Sequence, residues 1–258
     1  MLQASDTSLH EAVKSGDLRL VLKYRSDPVL MQTRDRYGFL PGELAALLGK
    51  LELVELFGVP FKPILCEEKG TVVPYSTQKF ADFFGVQYVP TLYFENYSLL
   101  EKTMKECPWT LKSTIYGREN RLRGIRFREA IFNDETAPVY VRYIDSSIGY
   151  GLFAAEAIRK GEYIGTYAGR VRRVSRLHRD HNEYCLHYPT RWLSFRYHVV
   201  DAQDFGNRAR FINHSDEPNL QPRCALDRNL LHTLFFALRD IRAGEELSFN
   251  YGKDFWQN

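Results

Sequence analysis

Apolar residues recur at helical spacing in the first quarter of the chain and in short alternating runs in its second half. Residues 9–57 carry the helical pattern, in which apolar positions three and four residues apart are interrupted by glycine-centred turns. From residue 138 onward, runs rich in β-branched and aromatic residues alternate with turns, for example at 139–143, 163–167 and 231–238. The pattern predicts helices at the front and several small sheets behind them, which is an α+β fold.

The front helices form an internal repeat. Gly16 aligns with Gly49, and Val21 with Val54, at a single offset. This offset equals roughly the 33-residue period of ankyrin repeats, which the segment resembles, so we predict an all-α ankyrin-like module over residues 1–60. A plain helical bundle is the alternative. Two copies are fewer than the roughly three that a stable stack needs, so we expect the module to pack against the rest of the chain.

Residues 61–135 carry mixed patterns. β-branched and aromatic residues dominate 72–75 and 86–94, whereas 99–107 and 116–129 have helical spacing. We interpret the segment as a helical connector that packs the front module onto the remainder of the chain.

Composition and charge narrow the class of protein. A hydrophobic fraction of 44% supplies packed cores, which excludes a disordered chain. The net charge of +3 is too small to indicate nucleic acid by itself, and the arginine clusters at 118–128 and 170–181 are typical of solvated helices. The four cysteines lack metal-type spacing, so neither a zinc site nor a disulfide framework is predicted. We see no bilayer-spanning run and no signal-peptide pattern.

A polar stretch at residues 201–219 carries most of the candidate chemistry. It contains Arg-Phe-Ile-Asn-His-Ser at 210–215, in which amide and imidazole groups sit between apolar residues. Such groups indicate a buried site, because a buried polar side chain needs a hydrogen-bond partner. Turn residues alone do not explain the string. Two other blocks accompany it, Gly-Tyr-Gly-Leu-Phe-Ala at 149–154 and Glu-Glu-Leu-Ser-Phe-Asn-Tyr-Gly at 245–252.

These three ordered blocks resemble the SET-domain protein lysine methyltransferases, and their combined spacing is more specific than any single short motif. The resemblance implies a β-rich SET domain over residues 136–258, built of several small sheets with a knot-like threading of the C-terminal segment. Asp216 after Asn-His-Ser is a variant similar to the compact SET methyltransferases of chlamydia-like bacteria. Many chromatin-type relatives have a cysteine there and a zinc-binding tail, so no metal is expected here.

The resemblance implies that S-adenosylmethionine donates a methyl group to a lysine of a histone or of a bacterial histone-like basic protein. The cofactor-binding residues implied by the resemblance are Gly149, Tyr150, Gly151, Tyr184, Asn213, His214 and Trp256. Tyr251 matches the catalytic tyrosine, and Tyr167 matches a second tyrosine of the lysine channel. Tyr184, Phe249 and Phe255 are implied to line that channel.

Elementary chemistry agrees with these roles. Gly149 and Gly151 lack a Cβ, which lets a ligand approach the backbone, although hairpins also use such glycine pairs. Asn213 and His214 offer donors and acceptors without strong charge, and a core histidine is the alternative for His214. The Tyr251 hydroxyl can orient an amine. The lysine must lose a proton with a pKa near 10.4, and desolvation in an aromatic channel lowers that pKa.

Three aromatic residues bear on the product and on closure of the site. Family members with tyrosine at the position of Phe249 tend to monomethylate, so phenylalanine implies di- or trimethylation. Phe255 and Trp256 are the candidates to replace the missing tail by stacking on the adenine or walling the channel. Terminal residues without structure are the alternative.

Other hypotheses stay open at this point. A catalytically silent SET fold would act only as a protein-binding module, but the presence of Asn213, His214 and Tyr251 disfavours it. Nucleic-acid binding through the arginine clusters would weaken steeply with salt. The ankyrin-like module is expected to bind a protein partner or to cover the substrate groove. We expect a cytoplasmic protein or, if it is a bacterial effector acting on chromatin, one that enters a host nucleus.

Overall fold

The front of the protein is helical, as predicted. The computed structural model describes residues 6–58, 62–113, 115–175, 182–189 and 196–252. The front helices are α1 Ser8–Ser15, α2 Leu18–Tyr24, α3 Pro28–Gln32, α4 Pro41–Leu47 and α5 Leu51–Leu56. No helix of the described part is long and apolar enough to span a bilayer.

The two helix–turn–helix units of this front module share their turn geometry. Gly16 follows α1 with a φ of 75°, and Gly49 follows α4 with a φ of 64°, a left-handed conformation that favours glycine. The side chain of Asp17 then accepts hydrogen bonds from the first amides of α2. The predicted repeat therefore corresponds to two helix pairs, while their assignment to the ankyrin class stays a prediction.

The middle segment is only partly helical. Its helices are α6 Thr77–Phe84, α7 Tyr97–Lys105, α8 Trp109–Ser113, α9 Ile115–Arg126 and α10 Arg128–Phe132. It also contains strands β1 Ile64–Glu68, β2 Thr71–Tyr75 and β3 Gln87–Tyr88. The expectation of a helical connector over 61–135 is wrong for these strands, because β1 pairs in parallel with Tyr140 and Val141 and so joins a sheet of the rear half.

The rear half is β-rich and consists of small sheets. Its strands are β4 Val139–Asp145, β5 Gly149–Ala154, β6 Tyr163–Thr166, β7 Gly169–Ser175, β8 Cys185–Tyr188, β9 Arg196–Gly206, β10 Asn213–His214, β11 Leu220–Asp227, β12 Leu230–Ala237 and β13 Ser248–Phe249. The sheet orders are β2-β1-β4-β5, β11-β12-β6, β3-β9-β7 and β10-β13, with β8 pairing β9. A 3-10 helix, Arg208–Phe211, precedes β10. The predicted α+β class is confirmed.

The expectation of a surface helix at 170–181 is wrong for residues 170–175. These residues form β7, which pairs antiparallel with β9. Val171 and Val174 are buried, and Arg172 lies against Asp201 of β9 at 2.6 Å. The arginines therefore flank a buried strand and do not cover a solvated helix. Residues 176–181 lie outside the described part of the chain.

The front module packs against the rear half through Arg228, at the turn between β11 and β12. Its Nη1 donates to the carbonyl of Gly38 at 2.7 Å and lies 2.5 Å from the carboxylate of Glu43. Its guanidinium also lies 4.1 Å above the ring centre of Phe39. The side chain of Arg228 is 9% exposed. The front module therefore packs against the rest of the chain, as expected.

Candidate active site

Two distant blocks of sequence meet where β10 pairs in parallel with β13. Asn213 lies opposite Ser248, and His214 lies opposite Phe249. Asn219, which is 2% exposed, secures the junction. Its Oδ1 accepts from the Ser248 amide at 2.9 Å, and its Nδ2 donates to the carbonyl of residue 246 at 2.7 Å. The pairing places the predicted cofactor and catalytic residues side by side.

The side chain of Asn213 joins the third block to the other two. Its Nδ2 donates to Glu246 Oε1 at 2.9 Å and to the Tyr150 carbonyl at 3.3 Å. These bonds orient the amide, and its Oδ1 receives no hydrogen bond from any residue within the described ranges. Asn213 is partly exposed. Its oxygen is therefore held in a fixed orientation.

The glycine loop of β5 contains two glycines, and their surroundings differ. Gly149 has a φ of 81°, and a Cβ built there meets no heavy atom within 4 Å. A Cβ on Gly151 would lie 2.7 Å from Ile144 Cδ1 and 2.9 Å from Glu246 Oε1. The positive φ of Gly149 thus favours glycine, whereas a side chain at Gly151 would displace the ends of the Ile144 and Glu246 side chains.

Tyr150 contacts Asn213 through its backbone. Its carbonyl accepts from Asn213, whereas its ring packs 5.0 Å from the ring of Phe84 and 5.4 Å from that of Tyr143. The side chain of Tyr150 therefore belongs to an aromatic cluster that holds α6 against β5. Its predicted contact with a cofactor stays a prediction.

His214 is oriented by the backbone of the last block. Its Nδ1 accepts from the Tyr251 amide at 3.1 Å, which places the proton of a neutral ring on Nε2. Nε2 lies 3.3 Å from the carboxylate of Asp216, whose side chain is 96% exposed. The rings of His214 and Tyr251 meet edge to face at 5.3 Å. Both ring nitrogens of His214 therefore lie against protein partners, and its predicted role towards a cofactor stays a prediction.

The hydroxyl protons of both predicted channel tyrosines are bound to backbone carbonyls. Tyr251 donates to the Ile212 carbonyl at 2.9 Å, and Tyr167 donates to the Tyr184 carbonyl at 2.7 Å. Burial raises the pKa of Tyr251 to about 12, helped by Tyr184 nearby, and burial raises the pKa of Tyr167 well above its ordinary value. Both groups stay protonated at neutral pH, and their oxygens keep lone pairs that can accept a hydrogen bond.

A row of aromatic rings connects the two tyrosines. Phe249, which is 5% exposed, lies 4.6 Å from the ring of Tyr251 and 4.9 Å from that of Phe235. Phe235 in turn meets Tyr167 edge to face at 6.4 Å. This apolar wall gives the site the low polarity that favours a neutral amine.

Most predicted site residues come together, but two lie outside the described residues. Phe255 and Trp256 fall there, so their predicted roles stay predictions. Sequence reasoning missed Glu246 and Asn219, although both stand within or beside the recognised blocks. Each is a polar side chain next to apolar residues. Such a side chain needs a hydrogen-bond partner when it is buried, and the sequence alone does not identify that partner.

Residues 149–252 match the SET domain family. The histone-lysine N-methyltransferase EZH2 of Chaetomium thermophilum is 36% identical over 115 residues, which are 42% of this chain and 8% of that protein. The histone-lysine N-methyltransferase Su(var)3-9 of Drosophila melanogaster is 37% identical over 114 residues, 40% of this chain and 18% of that protein. This chain therefore spans less than a fifth of either relative.

The similar solved structures also cover part of the chain. A crystal structure of the polycomb repressive complex 2 of Chaetomium thermophilum has 33% sequence identity, covers 49% of this chain and 17% of that chain, and gives a TM-score of 0.40. A crystal structure of KRYPTONITE in complex with mCHH DNA, an H3(1-15) peptide and SAH has 31% identity, covers 47% of this chain and 25% of that chain, and gives a TM-score of 0.37.

Proposed function

We propose that this protein, which contains a SET domain, is an S-adenosylmethionine-dependent protein lysine N-methyltransferase. The observation that carries the proposal is the pairing of β10 with β13. It brings Asn213, His214 and Tyr251 into one site, where each has the hydrogen bonds that orient it. The relatives with matching segments are histone-lysine N-methyltransferases by name, which supports the same reaction class.

The residues present fit the cofactor. When bound, S-adenosylmethionine supplies an electrophilic methyl group and carries an ammonium on its methionine portion. Asn213 Oδ1 and the carboxylate of Glu246 are acceptors that suit an ammonium. The main chain at Gly149, where no side chain stands in the way, suits the close approach of such a ligand.

The channel residues act by orienting a neutral lysine. The oxygens of Tyr251 and Tyr167 accept from the amine, since their own protons are bound to carbonyls. Tyr251 is not the base, because its proton is held and its pKa is raised to about 12. The Nδ1 lone pair of His214 is bound to the Tyr251 amide and is also not a base. The lysine loses its proton to water while the apolar wall lowers its pKa.

The degree of methylation and the substrate are finer proposals. Phe249 places no hydroxyl beside Tyr251, which supports di- or trimethylation. A histone or a histone-like basic protein is the proposed substrate.

The front module is proposed to be ankyrin-like and to bind a protein partner or cover the substrate groove. Its contact with the rear half through Arg228 supports a fixed position beside that half. A place among the bacterial effectors of the chlamydia type, and hence a host nucleus as destination, is part of this proposal.

The test measures transfer of label from radiolabelled S-adenosylmethionine to a panel of basic proteins. His214→Ala should abolish the transfer, whereas Tyr143→Phe, which removes a hydroxyl from an exposed tyrosine of β4, should leave it unchanged. Binding of S-adenosylmethionine is measured in parallel by calorimetry. Cofactor binding without transfer to any lysine would favour the silent binding module, and failure to bind the cofactor would overturn the proposal.

A further inference from the structure

Three polar side chains beside the channel form a connected chain of hydrogen bonds. Arg172 Nε donates to Asp201 Oδ2 at 2.6 Å. Asn182 Nδ2 donates to the same carboxylate at 3.0 Å, and Asn182 Oδ1 accepts from the Tyr184 amide at 2.8 Å. Asp201 is 5% exposed. The chain thus runs from a buried ion pair between β7 and β9 to the backbone of a channel residue.

Tyr184 is held on its other sides as well. Its carbonyl accepts from the Tyr167 hydroxyl at 2.7 Å and from the Ala202 amide at 3.1 Å. The guanidinium of Arg210 lies 4.1 Å above its ring centre, and Arg210 Nε donates to the Ala202 carbonyl at 2.9 Å. The position of the Tyr184 peptide therefore decides where the hydroxyl of Tyr167 points.

The ion pair stays charged under ordinary conditions. Burial by itself would raise the pKa of Asp201, but hydrogen bonds from the Gln203 amide, from Asn182 and from Arg172 together hold this pKa below its usual value. The carboxylate is therefore ionised at neutral pH, and its hydrogen bonds are of the stronger, charge-assisted kind. An amide in place of the carboxylate keeps one acceptor oxygen but turns an N–H group towards Arg172 or Asn182, so the chain loses a hydrogen bond at that donor.

We propose that Arg172, Asp201 and Asn182 are positioning residues that set the orientation of Tyr184 and, through its carbonyl, of the Tyr167 hydroxyl. Their hydrogen bonds run to one another and to the Tyr184 amide. The expected effect of these residues on turnover rests on the proposed function, because only an enzyme with this channel needs the two tyrosines in fixed positions. Small misplacements in such a channel are costly, with about 100-fold lost for a shift of about 1 Å.

The chain offers a matched control for Asp201. Asp204 lies on the same strand, β9, and faces Arg170 of β7 at 3.8 Å, but its side chain is 64% exposed and no described contact connects it to Tyr184. Asp201→Asn and Asp204→Asn therefore make the same chemical change in neighbouring ion pairs. Asn182→Ala tests the link between Asp201 and Tyr184.

The experiment has a structural and a kinetic readout. In protein carrying 13C-labelled tyrosine, Asp201→Asn and Asn182→Ala should shift the ring resonances of Tyr167 and Tyr184, whereas Asp204→Asn should not. With wild-type turnover established, both network variants should lower kcat by about 10- to 100-fold. The KM for S-adenosylmethionine should rise less than kcat falls, since Asn213 remains in place and only Tyr184, among the implied cofactor contacts, is disturbed.

The outcomes separate the two proposals. Unshifted Tyr167 and Tyr184 resonances in Asp201→Asn overturn the network, whatever the activity of the wild-type protein. Shifted resonances with an undiminished kcat overturn its role in turnover. A wild-type protein that transfers no methyl group contradicts the proposed function, while the resonances still decide whether the network positions the two tyrosines. A fall in kcat that is matched by loss of folded protein in the thermal unfolding of Asp201→Asn would also contradict positioning.

Discussion

Glu246 provides the sharpest prediction about cofactor binding. Its Oε1 accepts the Asn213 Nδ2 proton at 2.9 Å, which turns the Asn213 oxygen toward the proposed ligand. Replacement of Glu246 by Gln keeps an acceptor but removes the charge, and replacement by Ala removes both. We expect the affinity for S-adenosylmethionine to fall in the order wild type, Glu246→Gln, Glu246→Ala.

The expected magnitude follows from the kind of hydrogen bond that is lost. A bond to a charged group contributes about 1.5–3 kcal/mol and a neutral one about 1 kcal/mol. The Ala variant should therefore weaken Kd by about 10- to 100-fold, since about 1.4 kcal/mol is a factor of ten. The Gln variant should weaken Kd by about fivefold, because it loses about 1 kcal/mol.

Calorimetry with two ligands checks the reasoning. 5′-Methylthioadenosine lacks the methionine ammonium, so its Kd should be the same in all three proteins. Glu245→Gln is the control, because it makes the same change at the neighbouring carboxylate, which pairs with Arg239 at 2.6 Å, and the amide keeps an oxygen that can accept from Asn219 Nδ2. Equal affinities for S-adenosylmethionine in wild type and Glu246→Ala would refute the role given to Glu246, as would an equal loss in Glu245→Gln.

Three further predictions concern stability and product. Burial lowers the pKa of His232 to about 4, so the unfolded state binds more protons between pH 4 and 6.5, and stability should fall by about 3 kcal/mol as the pH is lowered from 6.5 to 4. His232→Phe should reduce this pH dependence in chemical denaturation, while His198, whose pKa burial also lowers to about 4, retains its own share. Asp134→Asn breaks a buried pair with Arg208 at 2.9 Å and should cost about 3–5 kcal/mol in urea unfolding, whereas exposed Asp204→Asn should cost under about 1 kcal/mol. Phe249→Tyr should shift the product towards monomethyl-lysine by mass spectrometry, and an unchanged product distribution would contradict the role of Phe249.

Much of the site could be predicted because its residues stand in short blocks. Asn213, His214 and Tyr251 are recognisable by their neighbours, and the pairing of β10 with β13 brings the blocks together as expected. The repeat in the front module was visible for a similar reason, since Gly16 and Gly49 mark local turns.

The features that were missed depend on partners far away in sequence. β1 looks ambiguous by itself; it forms a hairpin with β2, and its place in a sheet of the rear half depends on the distant pairing of Leu65 and Cys66 with Tyr140 and Val141. The arginines after Gly169 resembled a solvated helix because the local pattern contains no sign of Asp201, the carboxylate that binds Arg172. Propensity is a weak guide where a tertiary contact decides the conformation.

Methyl transfer to lysine is the central claim, and one measurement tests it most directly. Histones are incubated with S-adenosylmethionine and either the wild-type protein or Tyr251→Phe, and the methylated positions are then identified by mass spectrometry. The account predicts methyl groups on lysine side-chain nitrogens with the wild-type protein and at least about 100-fold fewer with Tyr251→Phe, because that variant loses the hydroxyl that orients the amine. Equal methylation by both proteins, or methyl groups confined to residues other than lysine, would contradict the account.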